Sequence, residues 1–443
     1  MVKKLLIANR GEIARRVIRT CRQLGIDTVA VYSDADMKAL HVTEADEAVR
    51  IGPAPVAQSY LQVEAILAAA RATGADAVHP GYGLLSENAD FAKSCVDAGL
   101  TFIGPPPAAI AAMGSKIEAR QAMRKAGVPV VPGSDGAVAD VAEAARLAAD
   151  MGYPVMLKAS AGGGGIGMQE VRDEQTLRRA FSANQARAKA YFGSGEMFLE
   201  KRIEAPRHIE IQVLFDRYGH GVYLGERECS IQRRHQKVLE EAPSPFMDED
   251  LLARMGEAAL TAGRAIGYVN AGTVEFLVDA KRNFYFLEMN TRLQVEHPVT
   301  EFVTGLDLVA WQLRIASGES LELPQSEVRR NGHAIEVRVY AEDPVKMLPS
   351  PGTITRLELP SGHGVRNDVG VEVGSEVTPY YDPMIGKLIV HADTREEAME
   401  KLKTALDDYI VEGIQTNLPL LQRIVASPAF RAGETTTDFI NRL

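Results

Sequence analysis

Short apolar runs alternate with helical patterns through about residue 110 of the chain. Leu5–Ala8 predicts a strand. A helix follows that places Ile13, Val17, Cys21 and Leu24 on one face, then Gly25 and a second apolar run, Thr28–Tyr32. Strand, helix and strand in that order make a βαβ unit. The alternation continues through a helix over Tyr60–Ala72, a strand at Asp76–His79, a helix over Glu87–Ala98 and a strand at Leu100–Ile103. A parallel sheet with helices on both faces follows, closed by the rigid turn Gly104-Pro105-Pro106-Pro107.

A helix around Lys116–Lys125 leads to Val128–Val131 and Pro132-Gly133, and a smaller α+β segment with a glycine cluster extends to about residue 203. The remainder is rich in alternating strands: Ile209–Phe215, Thr273–Val278, Phe284–Met289, Ala334–Tyr340 and Lys387–His391. It ends in a helix, Arg395–Tyr409, expected to pack on the last sheet. No internal repeat or low-complexity tract interrupts the pattern. The opening Met1–Ala8 has an apolar run that stops at Asn9-Arg10, far short of a secretory or membrane-spanning segment, and reads as a strand.

Composition narrows the function classes. At 443 residues there is room for several cores, and 46% hydrophobic with 24% charged residues is ordinary for a globular protein. The formal net charge of -10 is interspersed, with no basic stripe, which argues against nucleic-acid or membrane-surface binding. Cys21, Cys95 and Cys229 are widely spaced and odd in number, so neither a disulfide framework nor a zinc site is expected, and a reducing cytoplasm fits best. Cys229 reads as a small semi-buried side chain.

Candidate chemistry starts with phosphate. Residues 153–168 place Lys158 at the end of a strand, then Ala-Gly-Gly-Gly-Gly-Ile-Gly, then a returning strand at Met168–Val171. Glycines let backbone N–H groups cradle phosphate oxygens, and Lys158 adds a cation. Neither a Walker loop nor a dinucleotide fingerprint fits, and a plain surface hairpin is the alternative. A metal site is drawn more sharply. If a hairpin closes near residues 281–282, Glu275 lies opposite Glu288, and Glu288 shares its face with Asn290. Two facing carboxylates repel unless one is protonated or a cation lies between them. With Asn290 they make a set of hard oxygens suited to Mg²⁺ beside phosphates, the alternative being two solvated glutamates. Arg292-Leu293-Gln294-Val295-Glu296-His297 alternates strictly, and if extended it aims Arg292, Gln294 and Glu296 to one side. Cation, amide and carboxylate in a row suit a small anion and a general base. Gln232-Arg233-Arg234-His235-Gln236-Lys237 would by itself be a solvated charge run, but beside an anion site Lys237 becomes a candidate clamp.

These segments resemble the ATP-grasp superfamily and, within it, the biotin carboxylases, over nearly the whole chain. Tyr153–Gly167 and Phe286–Leu293 are similar to segments shared with carbamoyl-phosphate synthetase. Asn9–Ala14, His79–Asn88, Gln232–Lys237 and Arg292–Pro298 are similar to biotin carboxylase in particular. The resemblance implies an α/β N-terminal parallel-sheet domain, an α+β ATP-grasp module and a C-terminal α+β subdomain. The expected divisions are 1–113, a helical linker 114–131, a lid 132–203, the rest of the ATP-grasp module 204–332, and 333–443. It implies that Lys116 and Lys158 contact ATP phosphates, with Gly164 and Gly165 in the lid turn. Glu200, Lys201 and Ile203 would hold the adenine edge, His208 the ribose, and Gln232 and His235 would line the nucleotide site. Glu275, Glu288 and Asn290 would hold Mg²⁺ or Mn²⁺. Lys237, Arg292, Gln294 and Val295 would hold bicarbonate, Glu296 would take its proton, and Arg338 would stabilise the biotin enolate.

The implied reaction is ATP- and bicarbonate-dependent carboxylation of biotin, carried by a separate biotin carboxyl carrier protein, with carboxyltransferase subunits as further partners. A cytoplasmic homodimer serving acetyl-CoA carboxylase, in fatty acid biosynthesis, or a related acyl-CoA or pyruvate carboxylase is the expected setting. Ile166 departs from members with arginine in the lid, which bears on affinity rather than function. Pro344-Val345-Lys346-Met347 superficially resembles a biotin-accepting lysine motif but lacks the preceding methionine and is expected to be a loop. Two other readings stay open at this point: another ATP-grasp carboxylate or carbamate ligase, and a non-catalytic nucleotide-binding module.

Overall fold

The computed structural model describes residues 2–160 and 167–443. The N-terminal alternation becomes a parallel sheet of β1 (Lys4–Ile7), β2 (Asp27–Ser33), β3 (Glu47–Gly52), β4 (Ala77–His79) and β5 (Thr101–Phe102), ordered β3-β2-β1-β4-β5. Helices α1 (Gly11–Leu24), α2 (Leu40–Glu44), α3 (Val63–Thr73) and α4 (Ala89–Asp97) connect the strands. β1 is covered on both faces, so Leu5, Leu6 and Ile7 are all buried, and the strand reads as a continuous apolar run. The sequence pattern missed β3 because it is an edge strand with exposed Glu47, Ala48 and Arg50.

Boundaries shift where capping decides them. Leu24 is half exposed rather than on the buried face, because α1 ends there and Gly25 takes the left-handed conformation. α3 starts at Val63, after a wholly buried Tyr60 whose hydroxyl donates to Asp36 at 2.5 Å. α4 starts at Ala89 because Asn88 Oδ1 accepts the Phe91 N–H at 2.8 Å. Pro107 opens a helix, α5 (Pro107–Gly114), rather than only closing a turn, and α6 (Lys116–Lys125) follows where expected. Val128–Val131 forms no strand beyond a bridge from Val130 to Phe286.

The next segment holds α7 (Val141–Met151), β6 (Val155–Ala159), β7 (Met168–Val171), α8 (Glu174–Phe192) and β8 (Met197–Lys201). Its antiparallel sheet, β7-β6-β8, has its own core, with Ala144, Ala148, Leu177 and Phe181 from the helices against Val155, Leu157 and Leu199. The glycine cluster falls between β6 and β7 in the sequence, and the ladder of these two strands pairs Lys158 with Met168. Gly164, Gly165 and Ile166 lie outside the described residues.

An eight-stranded sheet organises the rest. Its strands begin with β9 (Arg207–Phe215), β10 (Gly221–Arg233), β11 (Gln236–Ala242), β12 (Asn270–Val278) and β13 (Phe284–Asn290), with α9 (Glu249–Ala265) between β11 and β12. After α10 (His297–Thr304) and α11 (Leu308–Ala316) come β14 (His333–Tyr340), β15 (Gly352–Thr353), β16 (Arg356–Glu358), β17 (Val365–Val369), β18 (Glu376–Val377) and β19 (Met384–Ala392). α12 (Arg395–Asp408) and β20 (Ile410–Glu412) follow. The large sheet runs β13-β12-β9-β10-β11-β14-β19-β17, while β15 pairs β18 and β16 pairs β20. Residues 344–347 form a loop, with Val345 exposed.

Alternation gives β14 two buried faces. Ile335, Val337 and Val339 pack with Leu388, Val390 and the α12 residues Met399, Leu402 and Leu406. Ala334 and Ile389 on the other face pack with Val299 and Val303 of α10, so Glu336 and Arg338 point to that side. α1 docks the N-terminal sheet on this body. Its Arg16 reaches Glu301 at 2.6 Å and Asp307 at 2.9 Å, and Ile13 and Val17 share a core with Leu308 and Leu313.

Candidate active site

The β12–β13 hairpin places Glu275 directly opposite Glu288, the pairing expected, through a register shift just after Phe276–Phe286. Glu288 is half exposed, and its Oε2 lies 3.7 Å from Lys116 Nζ. Glu275 is buried, with Oε1 accepting from Lys237 Nζ at 2.8 Å, Asn290 at 2.9 Å and Gln294 at 3.2 Å. His208 Nε2 lies 3.0 Å from Glu275 Oε2, off the hydrogen-bond direction, and its Nδ1 is 2.7 Å from the Gln232 amide. Burial works against the charge on Glu275, but Lys237 and His208 outweigh it and hold the carboxyl well below its usual range.

Lys237 belongs to a hairpin tip rather than a solvated charge run. β10 turns into β11 through Arg234 and His235, both at positive φ, and this points Gln232, His235 and Lys237 at one cavity. The Lys237 ammonium meets Glu210 Oε2 at 2.6 Å, Glu296 Oε1 at 2.7 Å and Glu275 Oε1 at 2.8 Å. Burial opposes its charge, yet these carboxylates push its pKa well above the ordinary lysine value.

Arg292–Glu296 is not extended. The segment bends and turns into α10, so Glu296 becomes the residue preceding the helix. The side chains expected on one face still converge, because a turn rather than a pleat brings them together. Arg292 donates to Glu87 Oε2 at 2.9 Å, Gln294 Oε1 at 2.7 Å and Asn290 Oδ1 at 2.9 Å. Glu296 is fully buried between Lys237 and Arg338, whose terminal nitrogen lies 3.0 Å from Glu296 Oε2. Burial would raise the Glu296 pKa, but Lys237, Arg338 and Arg227 hold it well below the carboxylate range. Cys229 is fully buried rather than semi-buried, its sulfur 3.9 Å from Glu296 Oε1.

These groups line a cavity of about 540 Å³ that also takes in Lys116 and Lys158, with Val295 on its wall. A second cavity of about 470 Å³ adjoins it, lined by Glu12, Tyr82, Tyr340 and Tyr381, and Arg292, Val295 and Arg338 line both. Glu200 sits outside this lining, paired with Lys158 and Arg120, which hold its carboxyl down against the effect of burial. Lys201 and Ile203 are also outside it, and the Lys201 ammonium donates to the Gly152 carbonyl at 2.6 Å.

Sequence reasoning missed Glu210, Arg227 and Glu240, all fully buried. Arg227 donates to Glu210, to Gln212 at 2.8 Å, and to Thr300 and Thr273 at 2.9 Å each. It thereby fixes one of the carboxylates that hold Lys237. Glu240 accepts from Arg338 Nε at 2.7 Å. Charged residues at alternate positions of apolar strands were the available signal, since Glu210-Ile211-Gln212-Val213 carries polar groups into a sheet packed on both sides.

Lys116 and Lys158 on one cavity, carboxylates on a hairpin, and a clamp of cations around a buried base fit an ATP-dependent ligase of the ATP-grasp class. Comparison with known proteins agrees. Residues 1–110 match the biotin carboxylase N-terminal domain, 115–324 the carbamoyl-phosphate synthase L chain ATP-binding domain, and 336–442 the biotin carboxylase C-terminal domain. The chain belongs to the biotin carboxylase family. It is 62% identical over 440 residues to the biotin carboxylase of Halalkalibacterium halodurans, covering 99% of this chain and 97% of that protein. It is 61% identical to biotin carboxylase 2 of Bacillus subtilis, covering 100% of both. The biotin carboxylase–β-γ-ATP complex from Campylobacter jejuni superposes with a TM-score of 0.98 at 46% identity, covering 100% of this chain and 99% of that one. The biotin carboxylase domain dimer of Hydrogenobacter thermophilus 2-oxoglutarate carboxylase, in complex with MgADP, ADP and bicarbonate, superposes at 0.96 with 50% identity, covering 100% and 98%. The chain is thus a ligase that carboxylates biotin with ATP and bicarbonate.

Proposed function

We propose that the two adjoining cavities divide the reaction between them, ATP and bicarbonate in the larger and biotin in the smaller. The observation that carries this reading is the line Lys237–Glu296–Arg338, which runs from the first cavity to the wall shared with the second. Lys116, Lys158, His208, Gln232 and His235 face the nucleotide, and Glu200, Lys201 and Ile203 support its adenine side. Gly164 and Gly165, which lie outside the described residues, would serve the ATP phosphates in this reading.

Glu275, Glu288 and Asn290 present the hard oxygens that suit Mg²⁺ or Mn²⁺, with Glu288 the most open of them. Such an ion supplies charge neutralisation at the transferring phosphoryl group. Lys237, Arg292, Gln294 and the Val295 backbone hold bicarbonate, and Glu296 takes its proton as an oxygen attacks the terminal phosphorus of ATP. Held by Lys237 and Arg338, Glu296 is a weak base, and an anion that draws those cations onto itself returns proton affinity to the carboxylate. Carboxyphosphate then breaks to CO₂ and phosphate. The released phosphate takes the ureido proton of biotin, and the resulting enolate, stabilised by Arg338, attacks CO₂.

The biotin arrives on a separate carrier protein, and carboxyltransferase subunits use the product. A cytoplasmic homodimer in fatty acid synthesis or a related acyl-CoA or pyruvate carboxylation is the setting this reading implies. It accords with a chain in which no helix among the described residues is long and apolar enough to cross a membrane.

The test measures phosphate release and carboxybiotin formation side by side. Arg338→Gln is expected to depress carboxylation while leaving much of the bicarbonate-dependent ATP hydrolysis, whereas Glu296→Ala abolishes both. Each loss should be on the order of 3 kcal/mol, the scale for one preorganised charge-stabilising group. Parallel loss of both activities in Arg338→Gln would remove Arg338 from the biotin step, and ATP hydrolysis indifferent to bicarbonate would overturn the whole reading.

A further inference from the structure

Behind Arg338 lies a carboxyl pair that the reaction scheme does not use. Glu240 on β11 and Glu336 on β14 are directly opposite in the antiparallel ladder, and both are fully buried. Opposite residues on one face of such a ladder have Cβ atoms roughly 5 Å apart. Glu240 gives one oxygen to Arg338, and its Oε2 receives no hydrogen bond from any described residue. Neither oxygen of Glu336 receives one from any described residue.

The cation most able to neutralise Glu336 is engaged elsewhere. Lys387, opposite Arg338 on β19, donates to the Val295 carbonyl at 2.7 Å and lies 3.3 Å from Glu12 Oε1. Glu296, the residue before α10, adds a like charge, and His297 Nδ1 is bound to the Gln294 carbonyl. Tyr82, from the loop after β4, donates to Glu12. A buried carboxylate with no donor is costly, whereas a carboxylic acid beside a free carboxylate oxygen satisfies both partners.

We propose that Glu336 is a positioning residue that works as a neutral carboxylic acid, donating its proton to the free oxygen of Glu240. Glu240 is thereby kept as the anion that holds Arg338 toward Glu296 and the biotin cavity. Burial raises the Glu336 pKa well above the usual carboxyl value even against Lys387, and the neighbouring Glu240 adds to the rise. Glu240 itself is pushed up to about 7, by burial first and against the pull of Arg338. Two such acids share protons as a unit, and the hydrogen sits on Glu336 because Arg338 already stabilises charge on Glu240. An ionised Glu336 would instead compete with Glu240 for the guanidinium.

The inference rests on Arg338 serving the biotin step. It is tested with Glu336→Gln, which keeps a neutral hydrogen-bond donor, and Glu336→Ala, which removes it, in the full chain with free biotin. Infrared difference spectra of wild type and Glu336→Gln should show loss of a carboxylic-acid C=O band at neutral pH. Glu336→Ala should lower kcat for carboxybiotin formation by roughly tenfold, with a smaller effect on the KM for ATP, and Glu336→Gln should restore most of it. The alkaline limb of the carboxylation profile should move to higher pH in Glu336→Gln. Absence of the acid band, a Gln variant as impaired as the Ala variant, or an unmoved alkaline limb would each overturn the proposal. Melting temperatures of both variants separate a folding defect from these outcomes. The infrared band does not depend on Arg338's role, so its loss together with parallel failure of both activities in Arg338→Gln would indict the biotin assignment and not the acid pair.

Discussion

Lys237 directs its ammonium at Glu210, Glu275 and Glu296 together. The carboxylates around it are fixed from behind, Glu210 by Arg227 and Glu275 by Asn290 and Gln294. Glu288 is different, because its described partner is a lysine 3.7 Å away and it is half exposed. That openness makes it the carboxylate best able to take a cation. Glu288→Gln keeps the size and removes one charge, so turnover should fall by roughly 10²-fold or more. Raising Mg²⁺ in a steady-state assay should recover part of the loss, and near-normal activity at ordinary Mg²⁺ would remove Glu288 from the metal site. A second consequence at this scale concerns acid stability. His79 is fully buried, its Nδ1 accepts the Gly81 N–H at 3.0 Å, and its Nε2 is 3.1 Å from Gln312 Oε1. Burial pushes its pKa down to about 4. The unfolded chain takes up that proton first, so stability is lost as pH falls from about 6.5 toward about 4 and is unaffected above. The loss is on the order of 3 kcal/mol. In urea unfolding, His79→Gln should be weaker than wild type near pH 7, with the gap narrowing near pH 4; a constant gap would show that His79 is not held neutral.

At the scale of elements, what could be read from the sequence depended on whether a period survived. The β12–β13 hairpin was legible as two apolar strands around a turn, but Glu275 faces Glu288 only because the ladder shifts register by one residue between Phe276–Phe286 and Glu275–Glu288, an irregularity that alternation does not show. The stretch after it was legible for its chemistry but not its shape. Arg292, Gln294 and Glu296 meet at the cavity through a turn into α10, which alternation alone cannot distinguish from a strand. β10 and β11 were not seen as strands at all, because Glu226-Arg227-Glu228 and Glu240-Glu241 break the apolar pattern with charges that are in fact buried and paired. Packing of α9 on the same sheet supplies a sharper test. An alanine methyl at Gly263 would collide with the Phe215 ring, which is itself buried, lies against Gly221 and stacks edge-on with Tyr268 at 6.2 Å. Alanine gains up to about 1 kcal/mol of helix propensity over glycine, but overpacking a closed core costs about 1–3 kcal/mol. Gly263→Ala should therefore lower the chemical denaturation midpoint, and an unchanged or raised midpoint would show that the ring can move.

Across the whole molecule, the matched regions 115–324 and 336–442 meet inside a single sheet. β11 and β14 share a ladder from Leu239–Val337 to Ala242–Ala334, so the seam visible in the sequence is not a seam in the fold. The junction near residues 110–115 is different in kind, since no strand ladder crosses it and the N-terminal sheet docks through side chains such as Arg16. For the exchange of gene segments between relatives, these two boundaries are unequal. A crossover near 110–115 must match complementary surfaces, while one near 330 must match a continuous backbone ladder and the charges of Glu240, Glu336 and Arg338 along it. The C-terminal quarter is therefore expected to be exchanged together with the middle of the chain as one cassette, and a fragment stopping before β14 would present β11 as an open edge to its neighbours.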